Sequence, residues 1–139
     1  MKNIIYKAIS IFYKYTNEAK KSKRVTFNEL VKYSDFEKNN NNKLLLSFGA
    51  GRSGQNWFSK IFNSHLNWVG STERYSDYES FYRYTTYYGL PIDKKNFFKL
   101  LILSAKRDMA THGNSFIASS YLSFGVNEIA NNLKPDAIF

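Results

Sequence analysis

At 139 residues, 43% hydrophobic and 18% aromatic, the chain is long enough for one domain with a real core and too apolar for a disordered one. The absence of cysteine excludes disulfides, thiolate metal sites and a cysteine nucleophile, and two histidines, His65 and His112, leave little for a zinc site. A net charge of +9 favours an anionic partner, but no helix-turn-helix, zinc-finger or RNA-binding signature goes with it, so a dispersed basic surface is expected and no nucleic acid.

Residues 1–42 hold nine Lys/Arg against four Asp/Glu and read as a basic helical extension ending in an Asn-rich linker, Asn39–Asn42. No window approaches the ~20 uncharged apolar residues of a membrane span. Lys7 and Lys14 interrupt the first apolar run, so a secretory signal fits badly and a cytoplasmic protein is expected. Over residues 3–16, Ile4, Ala8, Ile11 and Tyr15 share a helical face with Ile5, Ile9 and Phe12 beside them. Such a stripe docks on the protein's own core or lies on a membrane surface, and inward docking is the ordinary outcome. Thr26 and Glu29 form a capping box, with Val25 and Leu30 as its hydrophobic staple.

From residue 43 the pattern changes. Leu44-Leu45-Leu46 reads as a strand, Gly49-Ala50-Gly51-Arg52-Ser53-Gly54 as a glycine-rich turn, and residues 54–64 as a helix burying Trp57, Ile61 and Phe62. Trp68-Val69-Gly70 is a short second strand. Ser76 and Glu79 suggest another capping box, opening a helix with Tyr78, Phe81 and Tyr82 that stops before Gly89-Leu90-Pro91. Asp93 caps the next helix, whose Phe97, Phe98, Leu101 and Ala105 share a face and whose stop is Gly113. Phe116-Ile117-Ala118 is a buried strand, Leu122–Leu133 a helix weakened at Gly125, and Asp136–Phe139 a strand after Pro135. Alternating strands and helices predict a parallel α/β sheet. A chain that stops inside a strand, with no turn after it, reads as truncated.

The strand, glycine loop and helix present backbone N–H groups and a helix N-terminus to a phosphate-like group. Gly49 and Gly54 have the G-x-x-x-x-G spacing of a nucleotide-triphosphate loop. Gln55 and Asn56 stand where that loop needs Lys and a magnesium-binding hydroxyl, which disfavours a magnesium-dependent kinase or ATPase. Arg52 is the loop's one cation and can grip an anion through two parallel hydrogen bonds.

Gly51-Arg52-Ser53-Gly54-Gln55-Asn56-Trp57 resembles the 5′-phosphosulfate-binding loop of sulfotransferases, of the form [KR]-S-G-T-[TS]-[WL]. Ser59–His65 is similar to the helix that closes that motif with a D-S-H-P-like turn. Lys134–Phe139 resembles the P-D-A-K-F-I-like strand that leads into an R-D-P motif, which would begin just after Phe139. The resemblance spans residues 43–139 and implies the N-terminal half of a partial, three-layer parallel sheet of the P-loop type. It also implies 3′-phosphoadenosine 5′-phosphosulfate as donor, no metal, and a hydroxyl acceptor, with a carbohydrate suggested by analogy. On this reading the N–H groups of Gly51, Arg52, Ser53, Gly54, Gln55 and Asn56, with Trp57 at the loop's end, bind the donor. Arg52 would neutralise the bridging oxygen as the S–O bond breaks, an effect worth about 3–4 kcal/mol. Gln55 and Asn56 replace the family's hydroxyl pair, and their amides could donate to the same oxygens.

The acceptor needs a base. Glu73, in Gly70-Ser71-Thr72-Glu73-Arg74, falls where bacterial members show a G-E-P-like turn and is the candidate catalytic base beside Arg52. Its alternative is a salt bridge with Arg74 or a lysine. Glu79 is already accounted for by capping, His112 by a helix end, and His65 by closure of the loop helix. Ser119 and Ser120 occupy a strand where the family often carries Lys or His. Tyr75, Tyr78, Phe81 and Tyr82 read as one helical face, either stacking an acceptor sugar or packing in the core. The rival functions are a kinase on the same fold and a basic phosphate- or membrane-binding module.

Overall fold

The computed structural model describes residues 24–50 and 54–139. The amphipathic stretch 3–16 and the loop residues Gly51, Arg52 and Ser53 lie outside the described residues.

The elements in chain order are α1 (Phe27–Leu30), a 3-10 turn (Val31–Tyr33), β1 (Leu44–Phe48), α2 (Gln55–Ser64), β2 (Trp68–Thr72), α3 (Ser76–Tyr87) and α4 (Lys95–His112). They continue with β3 (Asn114–Ser119), a 3-10 turn (Tyr121–Gly125), α5 (Val126–Leu133) and β4 (Ala137–Ile138). The four strands form one parallel sheet in the order β2-β3-β1-β4. The expected α/β architecture with helices flanking a parallel sheet is therefore present.

The larger core lies on one face of the sheet. Leu44, Leu46 and Ile117 meet Phe98, Leu101, Ala105 and Met109 of α4 and Ile129 and Leu133 of α5 there. α4 earns its length from this stripe, since apolar residues recur every three or four positions along all of it. The opposite face is covered by α2, where Phe62 stacks on Phe116 with ring centroids 4.4 Å apart. A smaller cluster joins Leu30, Tyr75, Leu100 and Leu103, with Val25 packed against it, as the staple predicts. Glu29 Oε2 accepts the Thr26 N–H at 2.9 Å, so the first capping box forms.

Several local expectations are corrected. Trp57 is 62% exposed, and the buried face of α2 is the polar series Gln55, Ser59 and Asn63. The reason is close approach: a Cβ on Gly70 would run into the α2 backbone at Ser59, leaving no room for large side chains between them. Asn63 then serves the open edge of β2, donating to Gly70 O at 2.6 Å and accepting from Gly70 N at 3.0 Å. In α3 the N-cap is Tyr75 rather than Ser76, and only half a box forms, with Tyr75 N–H donating to Glu79 Oε1 at 3.3 Å. The run Leu122–Leu133 is not one helix. It divides at Gly125 into a 3-10 turn and α5, and the Tyr82 ring fills the space that a side chain at Gly125 would need. Asn42 is no solvated linker residue, being buried and donating to Gly113 O at 2.7 Å. The second and third strands run longer than predicted, to Thr72 and Ser119, and Phe139 extends the β4 pairing by donating to Leu46 O at 3.0 Å.

Candidate functional site

The chain leaves β1 towards β2, by way of α2, and leaves β3 in the opposite direction, towards β4. α2 covers one face of the sheet and α5 the other, so these two neighbouring parallel strands send their connections to opposite faces, which opens a crevice at their carboxyl ends, the usual ligand position in an open α/β sheet. Residues 49, 50 and 54, after β1, border this crevice, as do the residues that follow β2 and β3.

On the β1 side, Gly54 stands at the head of α2 with φ 84° and ψ 4°, a left-handed conformation that glycine adopts without a Cβ penalty. Gly54 O accepts the N–H groups of Trp57 and Phe58 at 2.9 and 3.0 Å. The N–H groups of Gln55 and Asn56 meet no acceptor among the described residues, and the first turn of α2 carries no acidic side chain. Such a turn suits an anion. The Gln55 side chain does not face it, because its Nε2 donates back to Ser47 O at 3.3 Å and the residue is buried. Asn56 and Trp57 are exposed.

Across the crevice, Glu73 follows β2 directly and has φ 46°, a left-handed conformation that costs a non-glycine residue about 1–2 kcal/mol. Its N–H donates to Ala118 O at 3.0 Å, continuing the pairing with β3. Its Oε1 accepts the Ser120 hydroxyl at 2.5 Å. The surface salt bridge with Arg74 does not form. Arg74 turns into the core instead and makes two hydrogen bonds with Asp108, at 3.2 and 2.8 Å, the pair being 4% and 0% exposed. Ser115 Oγ donates to the same carboxylate at 3.2 Å, and Arg107 also pairs with it at 3.0 Å.

Beside Glu73, the buried Glu79 carboxylate accepts from Ser119 Oγ at 2.5 Å, and Ser119 Oγ in turn accepts the Tyr121 N–H at 3.2 Å. Burial pushes the Glu79 carboxyl above its ordinary range and the charge of Glu73 adds to this, while Ser119, the Tyr75 N–H and Arg74 pull the other way. Two consecutive serines at the end of β3 thus each hold one carboxylate. Sequence reasoning missed this arrangement. It noted Ser119 and Ser120 only as the absence of a Lys or His, and the capping-box pattern hid the inward aim of Glu79.

The two histidines take no part. His65 ends α2 and His112 ends α4, both at the amino-terminal edge of the sheet, where β2 and β3 begin. The four aromatics expected on one face divide, Tyr75 and Tyr82 being buried while Tyr78 and Phe81 are exposed. The Tyr82 hydroxyl donates to Glu128 Oε2 at 2.7 Å, and Lys94 joins the same carboxylate at 3.2 Å. Burial, followed by that carboxylate, raises the Tyr82 phenol well above its ordinary value. Among the described residues no group of His, Asp and Glu is arranged to hold a metal ion, and no helix is long and apolar enough to cross a membrane.

No protein-family model matches the chain, and no curated protein and no solved structure matches it either.

Proposed function

We propose that the chain carries the donor-binding part of a sulfotransferase of the P-loop type, acting from 3′-phosphoadenosine 5′-phosphosulfate on a hydroxyl acceptor such as a carbohydrate. The observation that carries the reading is the pairing of two features across one crevice. A left-handed Gly54 opens α2 without a competing acid, and Glu73 is oriented by Ser120 at the neighbouring strand end.

The residues fit the donor's charged end. Gln55 and Asn56 offer N–H groups at a helix N-terminus, and Arg52, two positions before Gly54 in sequence, adds a cation. The buried Gln55 side chain leaves the task to backbone rather than to the amide group. The donor supplies the electrophilic sulfuryl group and a stable bisphosphate leaving group. Glu73 takes the acceptor's hydroxyl proton on Oε2, the oxygen that Ser120 does not hold, as the acceptor oxygen attacks. Arg52 balances the negative charge left on the bridging oxygen. Gln55 and Asn56, standing where a kinase needs Lys and a hydroxyl, favour transfer without magnesium.

The test is sulfuryl transfer by the chain to a panel of hydroxyl acceptors, followed with ³⁵S-labelled donor. The reading requires transfer that needs no magnesium and fails in Arg52→Ala. Magnesium-dependent phosphoryl transfer from ATP would replace it with the kinase reading.

A further inference from the structure

Among the described residues, an exposed apolar surface lies at the end of α3 farthest from Glu73. Tyr84, Tyr87 and Tyr88 are 63%, 65% and 62% exposed, and the surface continues into the exposed Leu90 and Ile92 on either side of Pro91. Phe124 joins it, its ring 5.6 Å from that of Tyr87 and covered on one side by the Arg83 guanidinium. Next to this patch, Leu90 and Ile92 help line an open groove of about 780 Å³ along α4. Lys95, Lys99 and Lys106 line the same groove at spacings of four and seven, hence on one helical face. Lys99 Nζ lies over the Phe27 ring and Lys106 Nζ donates to Ser34 O, interactions that leave both charges in place, while of the two acids beside the row Glu128 is paired with Lys94 and Asp93 accepts the Lys95 N–H at 2.8 Å.

We propose that this surface docks on an anionic lipid bilayer. Tyrosines with an apolar ring and a polar tip suit the headgroup boundary, and Leu90 and Ile92 sit on a loop able to enter it. The lysine row supplies the attraction to anionic headgroups. A sugar platform fits less well, because Tyr87 meets Tyr88 at 86° and Phe124 at 89°, so the rings offer no common plane for stacking. A protein interface fits less well too, since interfaces share the taste for tyrosine but are depleted in lysine. The proposal stands apart from the sulfuryl-transfer reading and uses none of its residues.

The chain has no cysteine, so Leu90→Cys gives a unique position for an environment-sensitive fluorophore. A second protein labelled through Ser64→Cys, at the exposed end of α2, is the control. Vesicles of phosphatidylcholine with phosphatidylserine should shift the emission at position 90 to the blue and leave position 64 unchanged. Phosphatidylcholine alone should do neither, and high salt should reverse the shift. In co-sedimentation, Lys95→Gln and Lys99→Gln should each lower partitioning about fivefold. Tyr88→Ser combined with Leu90→Ser should lower it further, with thermal unfolding unchanged because all four side chains are exposed. Equal shifts at both labels, no shift at either, or a shift at position 90 given by soluble heparin but not by vesicles would each overturn the proposal. So would full vesicle binding by the variants, which would assign the contact to residues 1–23.

Discussion

Ser120 donates its hydroxyl to Oε1 of Glu73 at 2.5 Å, joining the end of β3 to the residue that follows β2. The contact holds one carboxylate oxygen of a residue whose backbone is left-handed. Glu73→Gln should therefore reduce sulfuryl transfer by about 10²–10⁴-fold, the usual contribution of a positioned base. Ser120→Ala should cost less, since the carboxylate stays in place and only the hydroxyl that holds one of its oxygens is lost. Glu73→Gly should abolish transfer with little change in melting temperature, because relief of the left-handed strain offsets the lost hydrogen bond. A large destabilisation in Glu73→Gly would show that the residue is structural.

The buried pair of Arg74 and Asp108 underlies this corner. Arg74 Nε has no hydrogen-bond partner among the described residues, so the guanidinium depends on Asp108 for its compensation. Asp108→Ala should cost about 3–5 kcal/mol in urea unfolding, the range for stranding a buried charge. Joint replacement of Arg74 and Asp108 by Met and Leu should recover much of that loss. Additive losses in the double variant would contradict the account.

The contact of α2 with β2 depends on two small features. Gly70→Ala should destabilise by about 1–3 kcal/mol, because the α2 backbone must move away from the new methyl. Asn63→Leu leaves Gly70 N–H and C=O unpaired under a helix and should cost about 2 kcal/mol or more. Both are read from urea midpoints, and wild-type midpoints would show that α2 does not seal this edge.

Glu79 and Asp136 should move stability in opposite directions with pH. Glu79 has its folded pKa raised above 4.5, so the folded state holds the extra proton. Its contribution is full below that value and is lost as pH rises through the raised pKa. Glu79→Gln should then gain on the wild type as pH increases. For Asp136, burial pushes the carboxyl up, but the Leu44 N–H, the hydrogen bond from Lys38 and the charges of Lys38 and Lys43 outweigh it and hold the pKa below 3.8. Its contribution is present above that value and lost as pH falls through the lowered pKa. Asp136→Asn should therefore be least stable relative to wild type at neutral pH and converge with it in acid. Denaturation midpoints of both variants across pH 3–8, the span holding both ordinary carboxylate values, check the signs.

Local patterns made the parallel α/β class and most elements legible. Leu44-Leu45-Leu46 running into glycines marked β1, Thr26 with Glu29 marked α1, and the stripe from Phe97 to Ala105 marked α4. The misses came from contacts distant in sequence. Trp57 looked like core, but Gly70 brings the α2 backbone too close to β2 for a large ring. At Gly125 the need for glycine comes from Tyr82, on another helix. At the candidate site, Glu73 was singled out by the resemblance of residues 70–74 to a G-E-P-like turn. Its partner Ser120 is 47 residues away, and that pairing exists only through strand order.

The central claim is that the turn from Gly51 to Trp57 binds a 5′-phosphosulfate through backbone N–H groups and Arg52. Its most direct test is the amide NMR spectrum of the full chain titrated with adenosine 5′-phosphosulfate, a method that reads weak binding. The account predicts saturable shifts at Gly54, Gln55, Asn56 and Trp57, unaffected by magnesium and abolished by Arg52→Ala. Unchanged amides at these four residues, or shifts that survive Arg52→Ala, would contradict it.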